Sequence, residues 1–280
     1  MPSIADKRRE FRRLHGSGCF VIPNPWDIGT ARYLQHLGFK ALATTSLGYA
    51  FTQGLADGAV PRERMLSHIA EIAAASDVPV NADFEGGYAD DPAGLADSVV
   101  LCVQTGIAGL SIEDSTGHKD KPLYDFDLAV ARIAAARAAI DRTDPAVLLT
   151  ARTEGFIRGR PDLAETLRRL TAFAEVGADC LYAPGIRSRE EITAVVQAVA
   201  PKPVNLLAGW AGDLTVADIS ALSVRRISVG GALARAAWGG FIRAARQIAL
   251  GGSFAGFCDA APAADLNALF GEDARRRPAR

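Results

Sequence analysis

From residue 19 onward, short apolar runs rich in β-branched residues alternate with longer stretches of helical period. The runs are CFVI (19–22), ALATTS (41–46), VPVNAD (78–83), GLSIED (109–114), AVLLTAR (146–152), CLYAPG (180–185), PVNLLAG (203–209) and RISVGG (226–231). Between them, stretches such as PAGLADSVVLCVQTG and LAVARIAAARAAID set apolar residues three and four apart, the spacing of a helix that buries one face. HLGFKAL, QTGIAGL and EVGADCL each place a Gly just ahead of a run, where it can end a helix in the left-handed conformation. Eight strand–helix units predict an α/β fold, a (β/α)8 TIM barrel. A doubly wound open sheet is the alternative, but no G-x-G-x-x-G follows the first run and no Walker loop is present.

The reading assigns residues 1–255 to a single barrel, with an extra helix over 4–14 ahead of the first strand. It assigns 256–280 to a C-terminal extension whose end, GEDARRRPAR, reads as solvated and partly mobile. A chain of 280 residues with 49% hydrophobic content can bury one large core, so one domain is expected. The net charge of -1, with Lys and Arg dispersed, argues against nucleic acid as a partner. No run approaches the roughly 20 apolar residues of a membrane span, and MPSIADKRREFRRL is too charged for a secretory signal, so the expected location is cytoplasmic with no membrane partner. Cys19, Cys102, Cys180 and Cys258 are widely spaced without a C-x-x-C pair, which predicts reduced thiols rather than a zinc site or disulfide framework.

Active sites of such barrels lie at the C-terminal ends of the strands. There the second run ends in Thr44, Thr45 and Ser46, with Leu47 next and Asp57 in the following loop. The third leads to Asp83 and Glu85, the fourth to Glu113 and Asp114, the fifth to Arg152 and Glu154. Carboxylates gathered at one rim repel one another unless a cation sits among them, and oxygen-only ligands favour Mg²⁺ or Mn²⁺ over zinc. Asp83 is the candidate direct ligand, with Glu85, Glu113 and Asp57 holding the water shell. Each acid alone reads equally as a helix cap or surface charge, and only one of Glu113 and Asp114 can face the mouth. Arg152 can grip a carboxylate with two hydrogen bonds, or instead pair with Glu154. The hydroxyls and N–H groups of Thr45 and Ser46 can take further carboxylate oxygens, or bond to local backbone.

NPWDIGTARYLQHLGFKALATTS, GLADG, VNADFEGGYADDP, GLSIEDSTG, LTARTEGFIRGRPDLAETLRRLTAFAEVGADCLYAPG and PVNLLA together resemble the isocitrate lyase and phosphoenolpyruvate mutase superfamily over most of the chain. The resemblance implies a barrel whose last helix is exchanged between subunits, a homotetramer of paired dimers, and Mg²⁺ holding an oxyanion such as an enolpyruvate. It places Asp83 and Glu85 as the paired metal-motif acids, Glu113 as the following acid and Asp57 as the acid after the strand-two loop. Arg152 falls where the family contacts substrate, and Thr45 and Ser46 where it binds the 2-oxo carboxylate. The chain departs from the pattern in three places. Glu85 stands where the motif usually has Asp, the K-K-C-G-H loop with its acid cysteine is replaced by STGHKDKPLYD, and Gly230 and Gly231 replace the Asn-His pair of the mutase and decarboxylase branches. His118, Lys119, Lys121, Glu154 or a water remain as candidate proton donors.

The implied activity is Mg²⁺-dependent cleavage of a carbon–carbon bond in a small 2-hydroxy or 2-oxo carboxylic acid, of the methylisocitrate or oxaloacetate kind, through an enolate. The alternatives are phosphonopyruvate hydrolase or phosphoenolpyruvate mutase activity, and a non-catalytic barrel that binds a 2-oxo acid.

Overall fold

Strict alternation inside the runs sets the layers of this barrel. In VNAD and VNLL, Val80 and Ala82, or Val204 and Leu206, turn outward to the helices, while Asn81 and Asp83, or Asn205 and Leu207, turn to the axis. The computed structural model describes residues 2–277. All eight runs form strands, each shorter than its apolar run: β1 Phe20–Ile22, β2 Leu42–Ala43, β3 Val80–Asp83, β4 Gly109–Glu113, β5 Leu148–Arg152, β6 Cys180–Tyr182, β7 Val204–Leu207 and β8 Arg226–Ser228. Every pairing is parallel, in the order β1-β8-β7-β6-β5-β4-β3-β2. The Ala43 N–H donates to Pro23 O at 3.1 Å and draws β2 to β1, so the eight strands make a nearly closed (β/α)8 barrel.

The outward residues pack under the helices in one large apolar cluster that includes Val99, Leu110, Ile112, Leu149, Phe173 and Leu181. Inside the ring the chain is polar. Arg226 is buried there, its Nε donating to Asn205 Oδ1 at 2.8 Å and its Nη2 to Thr150 Oγ1 at 3.0 Å, both neutral acceptors.

The expected first helix runs Ile4–Gly16, started by a capping box between Ser3 and Asp6. It closes the N-terminal end of the barrel. Phe11 and Leu14 pack with Ile22, Ala41, Ala43, Ala108 and Leu148, and Lys7 Nζ donates to the carbonyls of Ala73 and Ser76 at 2.9 and 2.7 Å. Gly109 is required beneath it, because a Cβ there would lie 2.7 Å from Phe11 Cε1.

One expectation is corrected. The second run breaks at Thr44 instead of extending to Ser46, because Thr45 caps a helix over Ser46–Thr52, its Oγ1 accepting from the Gly48 N–H at 3.2 Å. Ala263–Arg276 is helical, with Asp273 paired to Arg32 at 3.2 Å and Arg277 to Asp77 at 3.1 Å; residues 278–280 of GEDARRRPAR lie outside the described residues. The long helix Ala232–Gly251 leaves Leu233, Trp238, Phe241, Ile242, Ile248 and Leu250 exposed. All four cysteines are free thiols, Cys102 and Cys180 buried and Cys258 exposed, and among the described residues no helix is long and apolar enough to cross a membrane.

Two histidines are held neutral in this framework. Burial, reinforced by Arg226, lowers His15 to about 3. Burial alone lowers His68 to about 4, where its ring stacks on Tyr49 at 3.8 Å and its Nε2 has no hydrogen-bond partner. Both folded pKa values lie below the unfolded value, so the unfolded chain binds the proton first as pH falls. Stability present above about pH 6.5 is then lost toward pH 4, by about 1.4 kcal/mol per pH unit for each ring. His68→Phe, which retains the stack, is expected to make urea-unfolding free energy less steep in pH by one proton over this window. An identical slope in the variant would contradict a neutral His68.

Candidate active site

Strand ends β2 to β5 place their polar side chains at one rim. Asp83, the last residue of β3, accepts from the Ser46 N–H and from Ser46 Oγ, both at 2.9 Å to Oδ2, and its own N–H donates to Thr44 Oγ1 at 2.9 Å. Ser46 therefore binds an acid of the cluster in this structure, and the Thr45 hydroxyl is turned to its helix cap. Arg152, ending β5, reaches three acids: Nη1 is 3.5 Å from Asp83 Oδ1, Nη2 is 3.5 Å from Glu113 Oε2, and Nε donates to Glu154 Oε1. Its guanidinium also lies over the Tyr182 ring, 5.1 Å from the centroid. The ring is completed by Glu85, in left-handed backbone at φ 49° and accepting from the Tyr88 hydroxyl at 3.1 Å.

Glu113 and Asp114 separate as neighbours on a strand must. Glu113 faces the mouth. Asp114 is turned away and accepts from the Glu154 N–H and Thr153 Oγ1, both at 2.8 Å, and from Arg169 at 3.1 Å. Asp57 stands exposed at the outer edge of the rim. Leu47 sits against Gly231, where a Cβ would lie 2.6 Å from Leu47 Cδ2, so this wall has no room for the side-chain pair of the mutase and decarboxylase branches without moving Leu47.

The electrostatics follow from the crowding. Burial and then Asp83 push Glu85 up to about 7, and partial withdrawal from water with the same Asp83 charge raises Asp57. Burial and the neighbouring Glu154 hold Glu113 well above the ordinary carboxylate range. Burial opposes the Arg152 charge, but Glu154 and Glu113 more than offset it and its pKa rises. Glu154 has no exposed side-chain surface and is the ion-pair partner of Arg152, so a role as free acid or base at the mouth is not supported. No three carboxylates among the described residues approach closely enough for a direct metal cage.

His118 is not brought to the cluster. It lies exposed on the loop between Thr116 and Lys121, where its backbone N–H donates to Thr116 Oγ1 at 3.0 Å, with the loop base closed by Thr116 N–H to Pro122 O at 3.1 Å. Below the rim, a cavity of about 40 Å³ descends past Asp83, Arg152 and Tyr182 to Asn205 and Arg226. A larger cleft of about 610 Å³ lies between the loops after β4 and β5 and contains none of the acids that face the mouth. Sequence reasoning missed Arg158, whose Nη2 is 3.4 Å from Glu113, and the buried Arg226. The only signals were a basic residue in the loop after β5 and another at the start of the eighth run.

Residues 11–249 match the family model for phosphoenolpyruvate phosphomutase. The chain belongs to that family. This places it in the isocitrate lyase and phosphoenolpyruvate mutase superfamily, a group of lyases and mutases. Oxaloacetate decarboxylase of Paraburkholderia xenovorans is 32% identical over 79% of this chain and 74% of its own. A candidate lyase/mutase of Burkholderia cenocepacia J2315 is 48% identical, with a TM-score of 0.93 over 96% of this chain and 97% of its own. A phosphonopyruvate hydrolase, solved with oxalate and Mg²⁺, is 26% identical with a TM-score of 0.84 over 96% of each chain.

Proposed function

We propose that this member of the phosphoenolpyruvate mutase family is a Mg²⁺-dependent lyase that breaks a carbon–carbon bond of a small 2-hydroxy or 2-oxo diacid through an enolate. The observation that carries the reading is the convergence of Asp83, Glu85 and Glu113 around Arg152, with Glu85 and Glu113 pushed up by burial and then by their acidic neighbours. Oxygen donors at this density suit a hard divalent cation such as Mg²⁺, which is bound through one or two carboxylates and keeps several of its waters. In this reading Asp83 binds the ion directly, while Glu85, Glu113 and Asp57 hold its water shell. When bound, Mg²⁺ supplies Lewis-acid stabilisation of negative charge on the 2-oxo oxygen.

The chain's own groups do the rest. Arg152, held planar between Glu154 and Glu113, presents its fork to the substrate carboxylate and to charge developing beside it. Ser46 and Thr45 begin the helix that faces Asp83 and would take the substrate carboxylate in exchange for the Ser46–Asp83 bonds of this structure, with Leu47 packing the wall. Methylisocitrate-like and oxaloacetate-like acids are the candidate substrates. Phosphonopyruvate is the second reading, supported by the fold shared with phosphonopyruvate hydrolase. The exposed apolar face of Ala232–Gly251 supports exchange of that helix in a homotetramer, and a monomeric mass by light scattering would count against it.

The test is turnover of methylisocitrate, isocitrate, oxaloacetate and phosphonopyruvate with Mg²⁺, followed as formation or loss of the 2-oxo acid. One acid turned over, and silenced by EDTA, names the reaction. Mg²⁺-dependent binding without turnover of any would leave a 2-oxo acid-binding barrel and overturn the lyase.

A further inference from the structure

Two guanidiniums reach the mouth, and they are held very differently. Arg152 is locked: its side chain is 16% exposed and its Nε donates to a fully buried Glu154. Arg158, on the loop after β5, is 39% exposed, with Nη2 3.4 Å from Glu113 Oε1 and Nε 3.4 Å from Glu154 Oε2. Those contacts are long beside the roughly 2.7–2.9 Å of a strong charge-assisted bond. Glu154 is already answered by Arg152, so Glu113 is the main partner Arg158 has. Both arginines touch that one carboxylate from its two oxygens, Arg152 at Oε2 and Arg158 at Oε1. Two cations close enough to share one carboxylate are close enough for a small diacid to touch both. Another arginine of the strand-end loops, Arg187, is instead stacked on Trp210 at 4.0 Å.

We propose that Arg158 receives the second acidic group of the substrate, remote from the carboxylate gripped by Arg152, and makes the site selective for diacids. The inference rests on the reading of the mouth as a Mg²⁺ and 2-oxo acid site. Arg158 gives up a weak internal partner for an incoming anion, at the solvent edge where the far end of the substrate would lie. The second group can be a carboxylate or a phosphonate, since a guanidinium fork fits either.

Calorimetric titrations in excess Mg²⁺ separate these possibilities, using three probes on the full chain, Arg158→Gln and Arg158→Lys. Oxalate has adjacent carboxyls and no remote group, 3,3-difluorooxaloacetate has a remote carboxylate, and phosphonopyruvate has a remote phosphonate. In Arg158→Gln, oxalate affinity is expected to stay within about twofold, while affinity for at least one remote-group ligand falls roughly 10–100-fold, the range for a lost charged hydrogen bond. Arg158→Lys should fall between, keeping charge but losing the fork. The ligand that weakens identifies the group. Equal weakening of all three probes would make Arg158 a positioning residue for Glu113 and overturn the inference, as would no weakening at all. Failure of the unaltered protein to bind oxalate with Mg²⁺ would overturn the reading of the site itself, before any variant is compared.

Discussion

Asp83→Ala is expected to remove Mg²⁺-dependent turnover, lowering kcat/KM by roughly 10³-fold or more, equivalent to about 4 kcal/mol of lost transition-state stabilisation. The side chain is the point where Arg152 and the Ser46 helix meet, and in the proposed site it is the direct ligand of the ion. Folding should suffer far less. The variant strands the Ser46 N–H, a cost of about 1–3 kcal/mol, but relieves the Asp83 repulsion that adds to burial in raising Glu85 to about 7. Asp83→Asn keeps an acceptor for Ser46 and separates the two effects. Melting curves with and without Mg²⁺ provide the control: the ion should stabilise the unaltered protein and leave both variants where they were. Retained turnover in either variant would mean that another acid is the direct ligand.

Arg152→Met should damage both activity and stability, because the same guanidinium serves both. It leaves both the fully buried Glu154 and Glu113 with only the loosely held Arg158, a loss of about 3–5 kcal/mol for a broken buried pair. Turnover should fall by roughly 10³-fold, as charge developing beside the carboxylate loses its donor. The double change Arg152→Met with Glu154→Gln removes the orphaned charge, so most of the stability is expected to return while activity does not. Denaturant unfolding and steady-state kinetics on the two variants read these separately. If the single variant unfolds like the parent, Glu154 is protonated in the native protein and the pair contributes little.

Much of this site was legible because strand ends and rim chemistry coincide in sequence. VNAD, SIED and LTARTE announce both a strand and the residue that ends it, so β3, β4 and β5 and the meeting of Asp83, Glu113 and Arg152 could be read directly. The family pattern selected Glu113 over Asp114, and the structure turns Glu113 to the mouth. Other features depend on backbone events that periodicity does not encode. ALATTS reads as a strand to its end, yet the capping bond of Thr45 starts a helix and spends Ser46 on Asp83. GFIRGR contains two arginines of similar promise, and only the turn geometry after β5 decides that Arg158 points inward. Arg226 was invisible because a basic residue at a strand start ordinarily lies at the surface, whereas the polar Asn and Thr layer of this barrel accepts it inside. His118 had composition in its favour, but a loop position leaves its distance from the cluster unfixed.

The helix over Ile4–Gly16 seals the lower end of the barrel, with Phe11 packed over Gly109, so the molecule is a vessel with one door. Any reaction that splits one acid into two must send both fragments out the way the parent entered. In the proposed site the piece gripped by Arg152 lies deeper, beside the cavity that descends to Arg226, and would leave second, which imposes an order on release. A second-released product competes with substrate for the empty enzyme, and a first-released one does not. Competitive inhibition by the 2-oxo acid, beside noncompetitive inhibition by the other fragment, is the kinetic trace that a closed floor leaves; the reverse pattern would mean the deeper fragment departs first.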